Sequence, residues 1–275
     1  NNANPVAPVV MYRSATPADA STAAFTFRAL VPPQSIAAGS RSHVIRDGDE
    51  NYPADILTSP LVLTGGKVAR FINTIDQRGI RSAADLVAFS AAWNDAADAA
   101  ARADVIARWS DEGTPDGTVY LHEDIDMSTI PNFTPIGKDL DHPFTGTFDG
   151  GGHTISNLTV TIDRTVSYAG LFGRNGGTIR HVKMQDGNIH GDGHGVAGNI
   201  AGVNKYGTIT GCSVTGGTTV NINAGGIAGQ NSGGSITGCS VTGGTITGNL
   251  TAGGIAGDNS GGSITGCIAA PAEVK

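Results

Sequence analysis

The sequence predicts an all-β protein: a parallel β-helix (solenoid) with an N-terminal helical cap, preceded by a small antiparallel β-sandwich module. Three observations carry this. The phrase GGIAGQNSGGSITGC at 225–239 returns as GGIAGDNSGGSITGC at 253–267, with looser copies at 198–212 and 170–182. A repeat of that length marks a solenoid, in which each copy buries its apolar side by stacking on its neighbours. Within a copy the apolar residues are β-branched and separated by short polar ones, as in Ser235-Ile236-Thr237, so the repeat is built of strands, about three per copy. Finally, 33 of the 41 glycines lie between Gly146 and Gly266, without the three-residue period of collagen, which suits tight corners between stacked rungs.

Residues 1–79 read as the sandwich. Phe25 and Phe27 alternate with polar residues, a turn falls at 46–51, and the run from Leu61 to Val68 gives a further short strand broken by its Gly65-Gly66 pair. Residues 80–118 form the cap and linker. Ser82 is placed to cap a helix from Ala83 to Trp93 with Leu86, Phe89 and Trp93 on one face, and Ala96 to Trp109 reads as a second helix. A helix at that position covers the open first rung of a solenoid.

Residues 119–275 form the β-helix. Successive rungs lie about 4.8 Å apart, so the repeats imply columns of stacked side chains. These are Leu171/Ile200/Ile227/Ile255, the Ile179/Ile209/Ile236/Ile264 column, Val182 with Cys212, Cys239 and Cys267, and Ile189/Val220/Ile246. The three cysteines are expected to be small buried free thiols, because stacked identical rotamers do not give a disulfide its torsion.

Charge narrows the partners. Residues 1–145 carry 11 basic and 18 acidic residues, and Asp258 is the single charge between Tyr206 and Ala272. Such a surface does not steer phosphates, so nucleic acid and anionic membrane are poor candidates as partners. No apolar run is long enough for a membrane span. The first residues carry no basic flank or apolar segment, and the expectation is that an export signal has been removed.

For chemistry, Asp124 and Asp126 lie two apart on a strand, and His181, His190, Asp192 and His194 cluster in sequence. Of these, Asp124, Asp126, His181, His190 and His194 are the residues a polysaccharide lyase or hydrolase on this scaffold would use. Gly191, Gly193 and Gly195 around the histidines read instead as a solvated corner. Asp139 and Asp141 sit in a loop that could hold calcium weakly. Asn132, Asn157 and Asn249 begin N-glycosylation patterns, which mean little in a bacterial protein. No catalytic, cofactor-binding or metal-binding residue and no cofactor is assigned.

The runs 119–126, Thr134-Pro-Ile-Gly137, 143–158 and Gly170-Leu-Phe-Gly173 resemble the lead-in and repeats of GLUG-motif bacterial surface proteins, found in adhesins and beside surface proteases. The resemblance spans about residues 80–268. It implies a right-handed β-helix and a surface location, and carries no activity. The order Pro-Gln, Ala-Gly, Asp-Gly, Gly-Gly-Lys within residues 1–79 is similar to the last part of fimbrillin-like domains of Bacteroidales pilus and surface lipoproteins, whose first half has no counterpart here and whose lipid-attachment cysteine is not found near the start of this chain.

Together these imply a non-enzymatic, exported cell-surface protein at the outer membrane or beyond. It would act as an adhesin, presenting a Thr/Asn-rich face to a host or community ligand, glycan or protein. A β-helix polysaccharide lyase or hydrolase and a structural spacer or pilus component are the alternatives. After Cys267 the tail has no helix to close the last rung, so that rung is expected to be a truncation point or an end-to-end contact surface.

Overall fold

The computed structural model describes residues 79–111, 117–161, 168–191 and 195–275 with their side chains, and residue 162 and the strands within the first 74 residues by backbone alone. The chain divides into two compact units, 1–77 and 78–275.

In the first unit all strand pairs are antiparallel. Ala24–Ala29 lies between Tyr12–Arg13 and Ala69–Thr74. Gln34–Ile36 pairs with Leu61–Leu63, and Arg41–Arg46 with Glu50–Ile56, Arg46 opposite Glu50 across the expected turn. The Phe25/Phe27 alternation, the sandwich packing and the fimbrillin-like resemblance rest on side chains outside the described residues.

The second unit is a parallel β-solenoid of about five turns led by two helices. One column fixes the register: Val119, Phe148, Ile179, Ile209, Ile236 and Ile264 stack in sequence at intervals of 29, 31, 30, 27 and 28 residues. Each full turn has five short strands in the early coils and four in the later ones rather than three, because Ile236 and Val241 belong to separate strands with a corner at Gly238-Cys239. Face 1 runs Thr118–Tyr120, Thr147–Asp149, Thr178–Arg180, Thr208–Thr210, Ser235–Thr237, Ser263–Thr265. Face 2 runs Ile125–Asp126, Thr154–Ser156, Lys183–Gln185, Ser213–Thr215, Ser240–Thr242, Ile268–Ala270. Faces 3 and 4 are continuous in the later turns, Thr218–Gly225 and Thr245–Gly253. Face 5 runs Phe172–Asn175, Ala201–Lys205, Ala228–Ser232, Ala256–Ser260.

The corner between faces 1 and 2 requires a left-handed backbone. Gly211, Gly238 and Gly266 occupy it at φ near 60° (60°, 61°, 62°), with His181 at 54° in the equivalent place. Immediately after it, Val182, Cys212 and Cys239 turn inward and are buried, while Cys267 in the last turn is half-buried; all three cysteines are free. Contact with Cys239 and burial push the Cys212 thiol well above its ordinary pKa, which suppresses its thiolate.

One predicted column is wrong by a residue. Ile189 stacks on Thr219, and Thr219 on Ile246; Val220 faces outward and is half-buried. Thr219 is 1 % exposed and its Oγ1 accepts a bond from Asn199 Nδ2 at 2.9 Å. An apolar-inward reading fails here because a satisfied hydroxyl is tolerated in the interior.

Helix α1 (Ala83–Asp95) starts at Ser82, whose Oγ accepts the Asp85 N–H. Helix α2 (Ala99–Trp109) begins three residues later than expected, since Asp98 caps it by accepting the Ala101 N–H at 2.8 Å. Leu86, Phe89 and Trp93 are buried against Phe144, Phe148 and Phe172 of the first turns. Polar anchors set the angle of α1: Ser90 Oγ donates to Thr134 O at 2.6 Å, and Asn94 donates to Pro135 O while accepting the N–H groups of Gly137 and Lys138. Ile80 adds a bridge to Leu121, so the N-terminal edge of face 1 is partly paired as well as covered. At the other end Ile264 is 37 % exposed, where its equivalent Ile236 is fully buried.

Candidate functional site

Among the described residues, Glu123, Asp124, Asp149, Arg180 and Lys183 place charge at and beside the corner between faces 1 and 2 in the early turns. Asp149 follows Phe148 out of face 1 and its carboxylate is nearly covered. Its Oδ1 accepts from the Gly151 N–H at 2.9 Å and His181 Nδ1 at 3.1 Å, and its Oδ2 from Arg180 Nε at 2.7 Å. Burial alone would raise this carboxyl, but the Gly151 N–H, Arg180 and His181 hold it below the ordinary value. A carboxylate with a depressed folded-state pKa stabilises the protein above its unfolded value of about 3.9, and that contribution is lost as pH falls through the lower folded value. Thermal melts of the parent should therefore weaken below about pH 4, with a shallower acid limb in Asp149→Asn. Superimposable pH profiles would show that the Asp149 cluster contributes nothing.

The sequence-nominated residues do not gather. Asp124 Oδ1 accepts the Thr154 N–H at 2.8 Å and faces His153 Nδ1 at 3.3 Å, and the Thr154 bond holds its pKa down. Asp126 accepts from Asn157 Nδ2, the Ser128 N–H and the Ser128 hydroxyl. Both carboxylates thus brace the first turn against the second. His181 stands on the corner after face 1, whereas His190 lies on face 3 between Thr161 and Val220. Asp192 and His194 lie outside the described residues. Asp139 is engaged with Asp141 N, His142 N and His142 Nδ1, and no group of three or more metal-binding side chains occurs among the described residues.

Two features were missed by sequence reasoning. Asn175, Asn204, Asn231 and Asn259 stack into a ladder at the end of face 5, the first three donating Nδ2 to the next Oδ1 at 2.8–2.9 Å and all four donating to a carbonyl two or three residues on. The first three are fully buried. The signal was present as an asparagine recurring two residues after a glycine in GRN, GVN, GQN and GDN. Its consequence corrects the expected Thr/Asn-rich face, because these asparagines point inward. What faces outward is hydroxyl: Thr147, Thr178, Thr208, Ser235 and Ser263 in one column of face 1, with Thr210, Thr237 and Thr265 in the next, and Ser213/Ser240 and Thr215/Thr242 on face 2. These columns repeat at about 4.8 Å along the axis and about 6.6 Å across a strand.

The second feature is Tyr206, 73 % exposed at the corner between faces 5 and 1.

Residues 220–247 match the GLUG motif. They run from within the Thr218–Gly225 strand to the start of the Thr245–Gly253 strand, so the motif spans one coil of the solenoid. Halomucin of Haloquadratum walsbyi is 42 % identical to this chain over 101 residues, 34 % of this chain and 1 % of halomucin. The crystal structure of a candidate immunoglobulin A1 protease from Bacteroides ovatus superimposes with a TM-score of 0.50 and 26 % identity, covering 63 % of this chain and 57 % of that one. This chain therefore spans a small fraction of halomucin and little more than half of the solved structure.

Proposed function

We propose that this chain is a non-enzymatic module of an exported cell-surface protein and acts as an adhesin. The GLUG coil and the likeness to halomucin support the surface location. The observation that carries the adhesive reading is the pair of uncharged hydroxyl faces. A rigid lattice of Thr and Ser side chains offers many equivalent weak hydrogen bonds, and repetition along the axis turns these into avidity. The carboxylates at the corner between faces 1 and 2 are already bonded to the chain's own groups, which favours binding over acid–base catalysis.

The test is retention of beads coated with the full chain on bacterial and epithelial cell layers, together with a lyase and hydrolase screen on polysaccharides. Retention is expected to persist from roughly 0.05 to 0.5 M salt, because the contact surface holds almost no charge to be screened. Polysaccharide cleavage would move the assignment to the enzyme, with the Asp149–His181 and Asp124–His153 pairs as its first suspects. No retention and no cleavage would leave a spacer.

A further inference from the structure

We infer that Tyr206 and Lys205 form a saccharide-stacking platform at the corner between faces 5 and 1, an inference that rests on the adhesin reading and names its ligand class. The corner is turned in the left-handed region, by Gly233 and Gly261 at φ 67° in the two later coils and by Tyr206 at φ 59°. That conformation is unfavourable for any side chain with a Cβ, and a bulky residue there calls for an explanation beyond folding. Burial does not supply it, since Tyr206 is the one exposed Phe, Tyr or Trp among the described residues.

The ring is nonetheless held in place. It lies against Gly233, where a Cβ would come within 2.6 Å of Tyr206 Cε1. Lys205 Nζ lies over one face of the ring, 4.5 Å from its centroid, and donates to Ser232 Oγ at 2.9 Å. One coil further on, the corner at Gly261 has nothing within 4 Å of the position a Cβ would take, so the shelf beyond the ring is open. With the ammonium over one face, the exposed, pre-positioned ring offers its other face to the polarised C–H groups of a pyranose, at little ordering cost. Lys205 is the sole Lys or Arg between Lys183 and Lys275, and its ammonium would take a ring oxygen or an acidic substituent. The hydroxyls of Thr208 and Ser235 continue the polar surface into face 1.

The experiment titrates the full chain with cellohexaose as the neutral probe and hexagalacturonate as the acidic one, by calorimetry and by amide shifts at residues 205–208 and 232–235. At least one should bind at this corner, and Tyr206→Gly should weaken it by at least about tenfold, with Tyr206→Phe close to the parent. Lys205→Ala should reduce the galacturonate affinity more than the cellohexaose affinity. In the same Tyr206→Gly variant the melting midpoint should stay level or rise, because glycine takes the left-handed corner without strain, as it does in the later coils. Failure of both probes to bind, or equal binding by Tyr206→Gly, overturns the site. A lowered midpoint with unchanged binding would make Tyr206 a clamp over Gly233 and overturns it too. Beads of the parent and of Tyr206→Gly that adhere equally remove this site and leave the adhesin reading standing; saccharide binding without adhesion does the reverse.

Discussion

Replacing Asn204 by leucine is expected to destabilise the solenoid by about 2–5 kcal/mol, although the volumes are close, because buried polar partners are left unpaired at about 1–3 kcal/mol each. Asn204 is central in the ladder: it accepts from Asn175 Nδ2 and donates to Asn231 Oδ1 and to Gly207 O. All three asparagines are fully buried, so water cannot replace the lost bonds. Glycine at 207 and 234 leaves the space the ladder occupies, since a Cβ at either would come within 2.4 Å of an asparagine nitrogen. Urea melts of the full chain decide it, with Thr208→Ala as the outward-facing control, expected to change stability by no more than about 0.5 kcal/mol. A leucine variant as stable as the control would mean that the ladder is a bystander to apolar stacking.

Phe89→Ala is expected to cost about 3–5 kcal/mol. The ring is fully buried and its centroid lies 5.6 Å from that of Trp109, 6.3 Å from Trp93, 6.4 Å from Phe148 and 6.5 Å from Phe144. It therefore joins both helices to the first turns, and removing it loosens the cover on that end as well as opening a cavity. Guanidinium melts should show the loss, and light scattering near the midpoint should show greater association than the parent as the first rung becomes accessible. A variant with parental stability and parental scattering would mean that the helices are not needed to close the solenoid.

Several parts of this architecture were legible in the residues. The spacing of Ile179, Ile209, Ile236 and Ile264 set the coil length and the principal core column, since a parallel register stacks equivalent residues. Ser82 and the Leu86/Phe89/Trp93 face located α1, because capping and helical periodicity are local. The start of α2 was misplaced because Ala96 and Ala97 are good helix formers, whereas the structure ends α1 at Asp95 and lets Asp98 open the next helix.

The candidate site was far less legible. A sequence reading gives polar residues to solvent by default, and in a solenoid with about five short faces the corners break strict alternation, so Asn175, Asn204, Asn231 and Thr219 were assigned outward or overlooked. Burial of the asparagines is tolerated because an identical partner arrives one coil later to satisfy each amide, and that of Thr219 because Asn199 donates to its hydroxyl, conditions met in three dimensions and invisible in one. Asp124 and Asp126 could be placed on one strand from the sequence, whereas their partners Thr154, His153 and Asn157 come from the next turn. Tyr206 differs in kind: the repeat itself places Gly233 and Gly261 opposite it, yet only the backbone angle and the exposure mark the tyrosine as an exception. The sequence by itself determined the repeat, the strand chemistry, the capping helix and the near absence of charge, because each follows from local preference or period. Tertiary structure alone decided which polar groups face inward, which carboxylates are already bonded and which aromatic ring is left in the open, because those depend on what the neighbouring coil brings to each position.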